Sequence, residues 1–494
     1  MPTNVIVIHA DQHRADCIGC YGNRELRTPH LDALAAAGEL HTNHFTAYPL
    51  CTPSRYSLLT GTYAGRHLGT NNRCAIPPGM ETFASILRSA GYNTAAVGKM
   101  HFTPAYFDAG FDSLTLAEQD GPGRFEDDYH RCLLERGLVD QADIVDQLYT
   151  YRNNAPAEYW ESFGAAASDL PPEHHSTTWI TQRSLERIDS FGSGRGNLLM
   201  TGYIKPHHPF DPPEPYAGMY DPGALTLLPG WLETLPDADR RKARGFFDYD
   251  SLTEPALRRA MALYYGTISH IDDGVGQIVA RLKEKGLYDD ALIIYTSDHG
   301  EYMGYHHLLL KGNYMYEPEV RIPLIVKYPK AWNRRGAVGA LSSNIDAAKM
   351  ICRVCNVASA RSMDGMDLSY IGEGRAYVVC ERMTDQWDYM VRTRTHKLLL
   401  SGGMAELRLF DLAADPCELR DITADPGNAA LIREMKDMLA EELLRRRGLY
   451  AHAYADAPVV NGRTPEEMRA ERKERSHRTA ALCGVKPTEV IWDY

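Results

Sequence analysis

NVIVIHADQH, residues 4–13, is the stretch that decides the fold of this chain, because an apolar run ends directly in polar side chains. An unbroken apolar run of this length is typical of a strand buried on both faces of a parallel sheet. The sequence contains four more runs of this kind, so we predict five buried parallel strands. The other runs are TAAVG (94–98), NLLMTGYI (197–204), ALIIYTS (291–297) and PLIVKY (323–328).

Helical patterns lie between these strands. TPHLDALAAAG (28–38) has Pro29 near its start and Gly38 past its end, the usual order of these residues around a helix. ETFASILRSAGY (81–92) is similar, and over residues 254–285 apolar positions recur every three or four residues along one helix face. This alternation predicts an α/β fold with a large, mainly parallel sheet covered by helices on both faces.

Polar segments follow four of the predicted strands directly. Ligands on open α/β sheets bind outside the carboxyl ends of the strands. We therefore expect these segments to converge on one functional site. They are Asp11-Gln12-His13, Lys99-Met100-His101, Lys205-Pro206-His207-His208-Pro209 and Asp298-His299-Gly300-Glu301.

The organisation of the chain changes along the sequence. Residues 104–190 are irregular and rich in aromatic residues, and we expect them to form an insertion or lid within a catalytic domain of residues 1–371. Beyond that domain, AYVVCER, DYMVRTRTHKLLLS and ELRLFDL predict consecutive strands of a small antiparallel sheet. With the helix REMKDMLAEELLRRRG and a polar tail they form a smaller C-terminal α+β subdomain of residues 372–494. The tail could embrace a neighbouring subunit of a homo-oligomer.

Composition excludes several classes of partner. The 494-residue chain has a net charge of −12, so no overall positive field attracts nucleic acid or an anionic membrane. No apolar run reaches the roughly 18 residues that span a bilayer, and the first residues predict a strand instead of a leader peptide. We therefore expect a cytoplasmic protein. The ten cysteines are scattered, and the pairs Cys17/Cys20 and Cys352/Cys355 are interpreted as buried or helix-face thiols, not as zinc ligands.

CTPSR (51–55), followed by SLLTG, resembles the signature of the formylglycine-dependent sulfatases of the alkaline phosphatase superfamily. Further motifs occur in the order and spacing of that family, from residue 4 to about residue 425. The resemblance implies an alkaline phosphatase-like fold, in which helices sandwich a large mixed sheet. The motifs are ADQHRAD, GKMH, KPHHPF, TSDHGEYMGYHHLLLKGNYMYE and LFDLAADPCELRDI.

The resemblance implies a modified nucleophile at Cys51. In that family the cysteine is converted to formylglycine (3-oxoalanine) by a formylglycine-generating maturation enzyme, which reads the proline and arginine that follow. A serine nucleophile would leave a stable sulfate ester on the protein. A hydrated aldehyde instead has two hydroxyls on one carbon, so that one attacks sulfur and the other expels sulfate.

The resemblance also implies a divalent metal ion bound by Asp11, Gln12, Cys51, Asp298 and His299. Such an ion polarises the sulfuryl oxygens and the nucleophile. The chain has Gln12 where the commonest family pattern has a second Asp, and His299 where many members have Asn. Ca²⁺ is the ion that the family implies, while Mg²⁺, Mn²⁺ and Zn²⁺ stay alternatives, because an imidazole suits the last two better than Ca²⁺.

Three cations fall at positions that the family uses in catalysis. Arg55 lies one helical turn after Cys51 and is expected to hold the hydrated aldehyde. Lys99 and Lys311 are expected to clamp the ester oxygens, since a point charge suits a tetrahedral oxyanion.

Two histidines and one asparagine complete the implied site. His207 is expected to protonate the leaving oxygen with a pKa near neutrality, and Pro209 sets the register of its motif. His101 is expected to assist release of sulfate. Asn72 is a candidate substrate contact, although a turn asparagine is an equal interpretation.

Three functions follow from these residues. The leading one is hydrolysis of a sulfate monoester of a small molecule or saccharide. The second is a phosphonate monoester or phosphodiester hydrolase on the same scaffold, because the Asp-Gln and Asp-His pairs also resemble those enzymes. The third is an inactive binding protein with this fold, against which the full set of ligands and cations argues.

Overall fold

The computed structural model describes residues 2–192, 194–240, 247–312, 314–402, 405–446 and 464–485. Within these ranges the strands are β1 (Val5–Ala10), β2 (Glu39–His41), β3 (His44–Phe45), β4 (Asn93–Gly98), β5 (Ser113–Leu116), β6 (Asn197–Gly202), β7 (Leu292–Ser297), β8 (Leu324–Lys327), β9 (Gly336–Val338), β10 (Ser342–Ser343), β11 (Val378–Met383), β12 (Trp387–Arg392), β13 (His396–Ser401) and β14 (Glu406–Asp411). The helices are α1 (Pro29–Ala37), α2 (Cys51–Thr60), α3 (Ala64–His67), α4 (Phe83–Ser89), α5 (Asp128–Glu135), α6 (Gln141–Gln147), α7 (Tyr149–Arg152), α8 (Ala157–Glu161), α9 (Ser176–Asp189), α10 (Asp237–Arg240), α11 (Glu254–Glu284), α12 (Glu317–Val320), α13 (Ala347–Val354), α14 (Ala429–Arg445) and α15 (Pro465–Leu482).

The large sheet has the strand order β5-β4-β6-β1-β7-β8-β2-β9. Its first five strands are parallel neighbours, so the prediction of a mixed, mainly parallel sheet is confirmed. The four strands that precede the polar segments, β4, β6, β1 and β7, are adjacent in this order. Their carboxyl ends therefore lie side by side at one edge of the sheet.

One predicted strand runs in the opposite direction. PLIVKY forms β8, but β8 pairs antiparallel with β7, so the prediction of a fifth parallel strand is wrong. The described residues between these strands contain one helix, the short α12. A parallel strand needs a long crossover, usually a helix, to return the chain to the amino-terminal edge. Here the chain stays at the carboxyl edge and re-enters the sheet from there.

Helices cover both faces of the sheet, and β1 shows why. Its side chains alternate, so that Ile6 and Ile8 enter one core cluster with α1, α9 and α11, whereas Val5 and Val7 enter another with α2, α4 and α13. All four side chains are fully buried. The continuous apolar run of β1 thus supplies both cores, as expected for a strand buried on both sides.

The predicted long helix is confirmed as α11, which has 31 residues. It begins where the side chain of Thr253 accepts a hydrogen bond from the N–H of Ala256, with Pro255 in its first turn. Ile271, Val275 and other residues of one face pack on the sheet. No helix in the described part of the chain is both long and apolar enough to cross a membrane.

The C-terminal sheet has the antiparallel order β11-β12-β13-β14, as predicted. One of its faces packs against α14 through residues such as Leu398 and Met435. Helix α15 lies elsewhere and contacts α5 of the insertion, where Nη2 of Arg475 is 3.0 Å from Oδ1 of Asp127. The boundary at residue 371 and the intersubunit role of the tail stay predictions, and residues 451–463 and 486–494 lie outside the described ranges.

Candidate active site

Helix α2 places Cys51 at the carboxyl edge of the large sheet. Cys51 is the first helical residue and is 1 % exposed. Pro53 fits the first turn because an N–H there has no partner within the helix. The N–H of Thr52 donates to Oδ1 of Asn72 at 3.2 Å. The Cys51 side chain thus lies at the positive end of a helix, which stabilises a negative group.

Arg55 binds both carboxylates of the site, those of Asp11 and Asp298. Its Nη2 donates to Oδ2 of Asp11 at 3.0 Å and its Nε donates to Oδ2 of Asp298 at 3.2 Å. Its Nη1 donates to the carbonyl oxygen of Lys99 at 2.6 Å. All three charged side chains at this junction are fully buried. Arg55 therefore offsets the mutual repulsion of the carboxylates and holds their Oδ2 atoms.

Four candidate metal ligands converge beside the carboxylates. One atom each from Asp11, Cys51, Asp298 and His299 lies within 4.8 Å of the others. Nε2 of His299 is 3.3 Å from Sγ of Cys51, 3.7 Å from Oδ1 of Asp11 and 3.8 Å from Oδ1 of Asp298. Nδ1 of His299 lies 3.0 Å from the carbonyl oxygen of Gly300. That contact orients the ring so that Nε2 faces the cluster.

Gln12 adds a buried amide oxygen next to this cluster. Its N–H donates to Oδ1 of Asp298 at 3.0 Å, and its Nε2 donates to Oε2 of Glu301. Its Oε1 is buried and has no hydrogen-bond partner among the described residues. An unpaired buried acceptor is costly, and a hard cation would satisfy it. The donor set of oxygen atoms with one imidazole therefore fits a divalent cation.

Two ammonium groups lie near Cys51. Nζ of Lys99 lies 2.9 Å from Oδ2 of Asp11 and donates to Oε1 of Gln119 at 3.0 Å. Nζ of Lys311 lies 3.0 Å from Sγ of Cys51. Burial acts to raise the pKa of the Cys51 thiol, but Lys311 and Lys99 outweigh it and lower that pKa to about 6. The site therefore stabilises negative charge at residue 51.

His207 lies between Lys311 and the backbone. Its Nε2 is 2.5 Å from Nζ of Lys311, and its Nδ1 is 2.6 Å from the carbonyl oxygen of His208. Burial and the adjacent ammonium lower the pKa of His207 well below its usual value. The expectation of a pKa near neutrality is therefore wrong in this arrangement, because an imidazolium would be repelled by Lys311. Lys311 is therefore the protonated partner, and it donates a hydrogen bond to a neutral His207.

Asp120 and Gln119 are site residues that sequence reasoning missed. Oδ1 of Asp120 lies 2.7 Å from Nε2 of His101. Burial acts to lower the pKa of His101, but Asp120 outweighs it and raises that pKa to about 9. Gln119 accepts from Lys99 and donates to the carbonyl oxygen of His208 at 2.9 Å. Both follow the strand β5, so the strand-end rule would have found them had SLTL (113–116) been interpreted as a strand.

A cavity of about 450 Å³ adjoins the cluster. Asn72 lines it, while its Oδ1 accepts from Thr52, so its role as a substrate contact stays a prediction. The structure brings every predicted site residue into this one region, and their individual roles stay predictions. These residues are Asp11, Gln12, Cys51, Arg55, Asn72, Lys99, His101, His207, Asp298, His299 and Lys311.

The fold and the site together define a hydrolase, in which carboxylates at strand ends meet a cysteine at a helix N-terminus. More narrowly, the chain belongs to the sulfatase family, because the Sulfatase family model matches residues 3–357. A second model, N-sulphoglucosamine sulphohydrolase, C-terminal, matches residues 304–445. The chain is a sulfuric ester hydrolase.

Similar proteins agree with this assignment. The chain is 28% identical over 481 residues to an arylsulfatase of Clostridium perfringens, with 91% of this chain and 96% of that protein covered. It is 29% identical over 498 residues to the multifunctional alkaline phosphatase superfamily protein PehA of Trinickia caryophylli, with 87% and 93% covered. A solved phosphonate monoester hydrolase of Agrobacterium radiobacter has a TM-score of 0.74 at 23% identity, with 90% and 96% covered, which shows a shared fold.

Proposed function

We propose that this chain hydrolyses a sulfate monoester through a formylglycine at residue 51. The position of Cys51 supports this best: Sγ lies 3.0 Å from Nζ of Lys311, 3.3 Å from Nε2 of His299 and 3.6 Å from Oδ1 of Asp11. A nucleophile at this point faces both the candidate metal ligands and an ammonium group. A sulfuryl group in transfer carries negative charge on its peripheral oxygens, which such groups stabilise.

The candidate metal centre comprises Asp11, Gln12, Asp298 and His299 together with residue 51. When bound there, a divalent cation polarises the sulfuryl oxygens and the attacking hydroxyl. We propose Ca²⁺, because three of these side chains offer hard oxygen atoms. The imidazole of His299 makes Mn²⁺ and Zn²⁺ the alternatives to test, with Mg²⁺ alongside.

The modified residue 51 and the surrounding cations have separate roles in the reaction. As a hydrated formylglycine, residue 51 supplies two hydroxyls on one carbon, one to attack sulfur and one to expel sulfate while the carbonyl re-forms. Lys99 and Lys311 hold the peripheral oxygens of the ester. Arg55 keeps the carboxylates of Asp11 and Asp298 in place and ionised. These charges are set before the substrate arrives, so little reorganisation opposes the reaction.

Two histidines assist the protonation of the leaving group and the release of sulfate. Lys311 donates a hydrogen bond to Nε2 of the neutral His207, and the proton transferred to the leaving oxygen of the substrate passes from Nζ of Lys311 through Nε2 of His207. On the other side, Nε2 of His101 binds Asp120, and Nδ1 has no hydrogen-bond partner among the described residues, although its ring lies beside Cys51. His101, which Asp120 keeps protonated, therefore assists the release of sulfate from residue 51.

Mass spectrometry and kinetics test the proposal together. We expect the peptide with residue 51 to carry an aldehyde or its hydrate in place of the CH₂–SH group. Among three esters of one phenol, we expect kcat/KM for the sulfate to exceed that for the phosphonate monoester and the phosphodiester at least about tenfold. A phosphonate preference of several orders of magnitude would assign the second candidate function, which the 29% identity to a multifunctional member favours. Failure of the modified protein to hydrolyse any ester would assign a binding protein.

Three further expectations accompany this function. The substrate is a sulfated small molecule or saccharide, and co-expression with a formylglycine-generating maturation enzyme should raise the active fraction. The cytoplasmic location stays a prediction, which cell fractionation checks. The homo-oligomer also stays a prediction, and light scattering of the purified chain measures its mass in solution.

A further inference from the structure

Helix α15 lies beyond both family models, which end at residues 357 and 445, yet its Arg472 lines the cavity beside the nucleophile. We propose that this cavity is a sugar-binding subsite for the organic part of the sulfate ester, with Tyr149 and Arg472 as specificity-determining residues. The inference rests on the proposed sulfatase function and names the substrate class of the same site.

The cavity adjoins the catalytic cluster at His101. This residue lines the cavity, while its ring lies beside Cys51. Asn72 and Asp120 also line the cavity, and the Asp120 side chain is 33 % exposed. Cys51 itself is almost fully buried. A substrate with its sulfuryl group at residue 51 therefore extends its organic part into this cavity.

Tyr149 supplies an aromatic surface at the rim of the cavity. It is the first residue of α7, lines the cavity and is 65 % exposed. Tyr151 also lines the cavity but is almost fully buried, and Tyr159 is buried in a packed cluster. An exposed aromatic ring at the mouth of a pocket can stack on a flat ligand ring at low conformational cost.

Charged side chains of both signs lie in the wall of the cavity among apolar ones such as Phe102 and Phe125. Asp120 binds His101 at 2.7 Å, and Oε1 of Glu126 lies 3.6 Å from Nη1 of Arg472. Arg73 lines the same cavity. An apolar aryl group would displace water from these charged groups without offering hydrogen bonds in its place, which is costly. Sugar hydroxyls can donate to the carboxylates and accept from the guanidinium groups, so the wall favours a sugar.

Helix α15 is anchored firmly enough to hold Arg472 at this wall. Nη2 of Arg475 donates to Oδ1 of Asp127 at 3.0 Å. Nη2 of Arg478 donates to the carbonyl oxygen of Leu134 at 3.1 Å. The helix therefore packs on the insertion through several contacts and reaches the cavity from outside the residues that the family models match.

Substrate discrimination by four full-length variants tests the subsite. Arg472→Gln and Tyr149→Ala remove the proposed contacts, and Tyr149→Phe keeps the ring. Lys473→Gln is the matched control, because this neighbouring residue of α15 is exposed and does not line the cavity. The substrates are para-nitrophenyl sulfate and a panel of hexoses that each carry one sulfate. The readout is the ratio of kcat/KM for the best sugar sulfate to kcat/KM for the aryl sulfate.

We expect the unaltered chain to hydrolyse at least one sugar sulfate, and we expect the ratio to fall at least about tenfold in Arg472→Gln and in Tyr149→Ala. It should stay within about twofold in Tyr149→Phe and in Lys473→Gln. Thermal unfolding midpoints show whether each variant is folded. If Arg472→Gln does not fold, the two Tyr149 variants decide, because that side chain is largely exposed.

The outcomes separate the subsite from the proposed function. An unaltered chain that hydrolyses neither kind of sulfate overturns the proposed function. A chain that hydrolyses the aryl sulfate but no sugar sulfate overturns the subsite alone. An unchanged ratio in both Arg472→Gln and Tyr149→Ala also overturns the subsite alone.

Discussion

Nζ of Lys311 lies 3.0 Å from Sγ of Cys51, although 260 residues separate the two in the chain. Lys311 comes from the segment between β7 and β8, whereas Cys51 begins α2. The contact exists because β7 and β8 are antiparallel, which keeps their connection at the carboxyl edge of the sheet. An ammonium group at this point stabilises negative charge on whatever residue 51 binds.

Lys311→Met should therefore lower kcat/KM for an aryl sulfate by about 10²- to 10³-fold, the usual effect of removing one donor to a developing anion. Steady-state kinetics measure the loss. Lys330→Met is the control, because that lysine is a surface residue with 76 % of its side chain exposed. A loss below about threefold in Lys311→Met would contradict the assigned role.

Cys51→Ala should abolish turnover and leave the thermal unfolding midpoint nearly unchanged, because the side chain is small and α2 has other contacts. Cys51→Ser should complete one turnover at most, since a serine sulfate has no second hydroxyl to expel sulfate. Mass spectrometry of the peptide with residue 51 would then show a retained sulfate. Multiple turnovers by either variant would remove residue 51 from the mechanism.

Arg55→Met should destabilise the protein by about 3 to 5 kcal/mol, because it leaves the carboxylates of Asp11 and Asp298 buried without their cation. Denaturant unfolding in the presence of a chelator measures the change. Arg281→Met is the control, since the ion pair of Arg281 with Asp189 is partly exposed and should contribute less than about 1 kcal/mol. Equal effects of the two variants would argue against the buried junction.

Equilibrium dialysis should find a divalent ion bound to the folded chain, with Ca²⁺ the tightest of Ca²⁺, Mg²⁺, Mn²⁺ and Zn²⁺. Asp298→Asn should weaken that binding at least about tenfold, because it removes a charged ligand. Asp273→Asn is the matched control, since Asp273 lies in a separate, largely exposed group of potential ligands with His30 and Asp272. Loss of the ion in Asp273→Asn but not in Asp298→Asn would assign the metal centre to the group of His30, Asp272 and Asp273 instead.

The free energy of unfolding should fall as the pH decreases, with a contribution from His67. Its Nδ1 accepts from the N–H of Gly69 at 3.1 Å and its Nε2 lies 2.9 Å from Oγ of Ser57. Burial lowers the pKa of His67 to about 3, whereas an unfolded histidine binds a proton below about pH 6.5. The stability that a neutral His67 contributes is therefore complete above about pH 6.5 and is lost as the pH falls toward 3.

His67→Gln should make the pH dependence shallower by about 1.4 kcal/mol per pH unit between about pH 6 and pH 4. Denaturant unfolding at several pH values measures this slope. His30→Gln, which removes an imidazole that is half exposed, controls for the loss of a histidine as such. An unchanged slope in His67→Gln would show that His67 accepts a proton in the folded state.

Local patterns carried much of the fold. Apolar runs located the buried strands, and the spacing of apolar residues located α11 almost to its ends. The direction of β8 was not predictable in this way, because direction depends on where the connecting segment runs, and the residues of a strand do not encode it. Asp120 was missed for a related reason, since its strand β5 is short and its motif is unremarkable.

The sequence by itself determined which residue types end each strand and that the chain belongs among enzymes with these motifs. These properties are local, so the spacing and order of residues in one sequence are enough to predict them. Only the tertiary structure decided that Lys311 lies next to His207 and disfavours its protonation, that Asp120 pairs with His101, and that α15 brings Arg472 to the cavity. Those contacts depend on packing between distant segments, because burial and the proximity of charges arise only when the chain is folded.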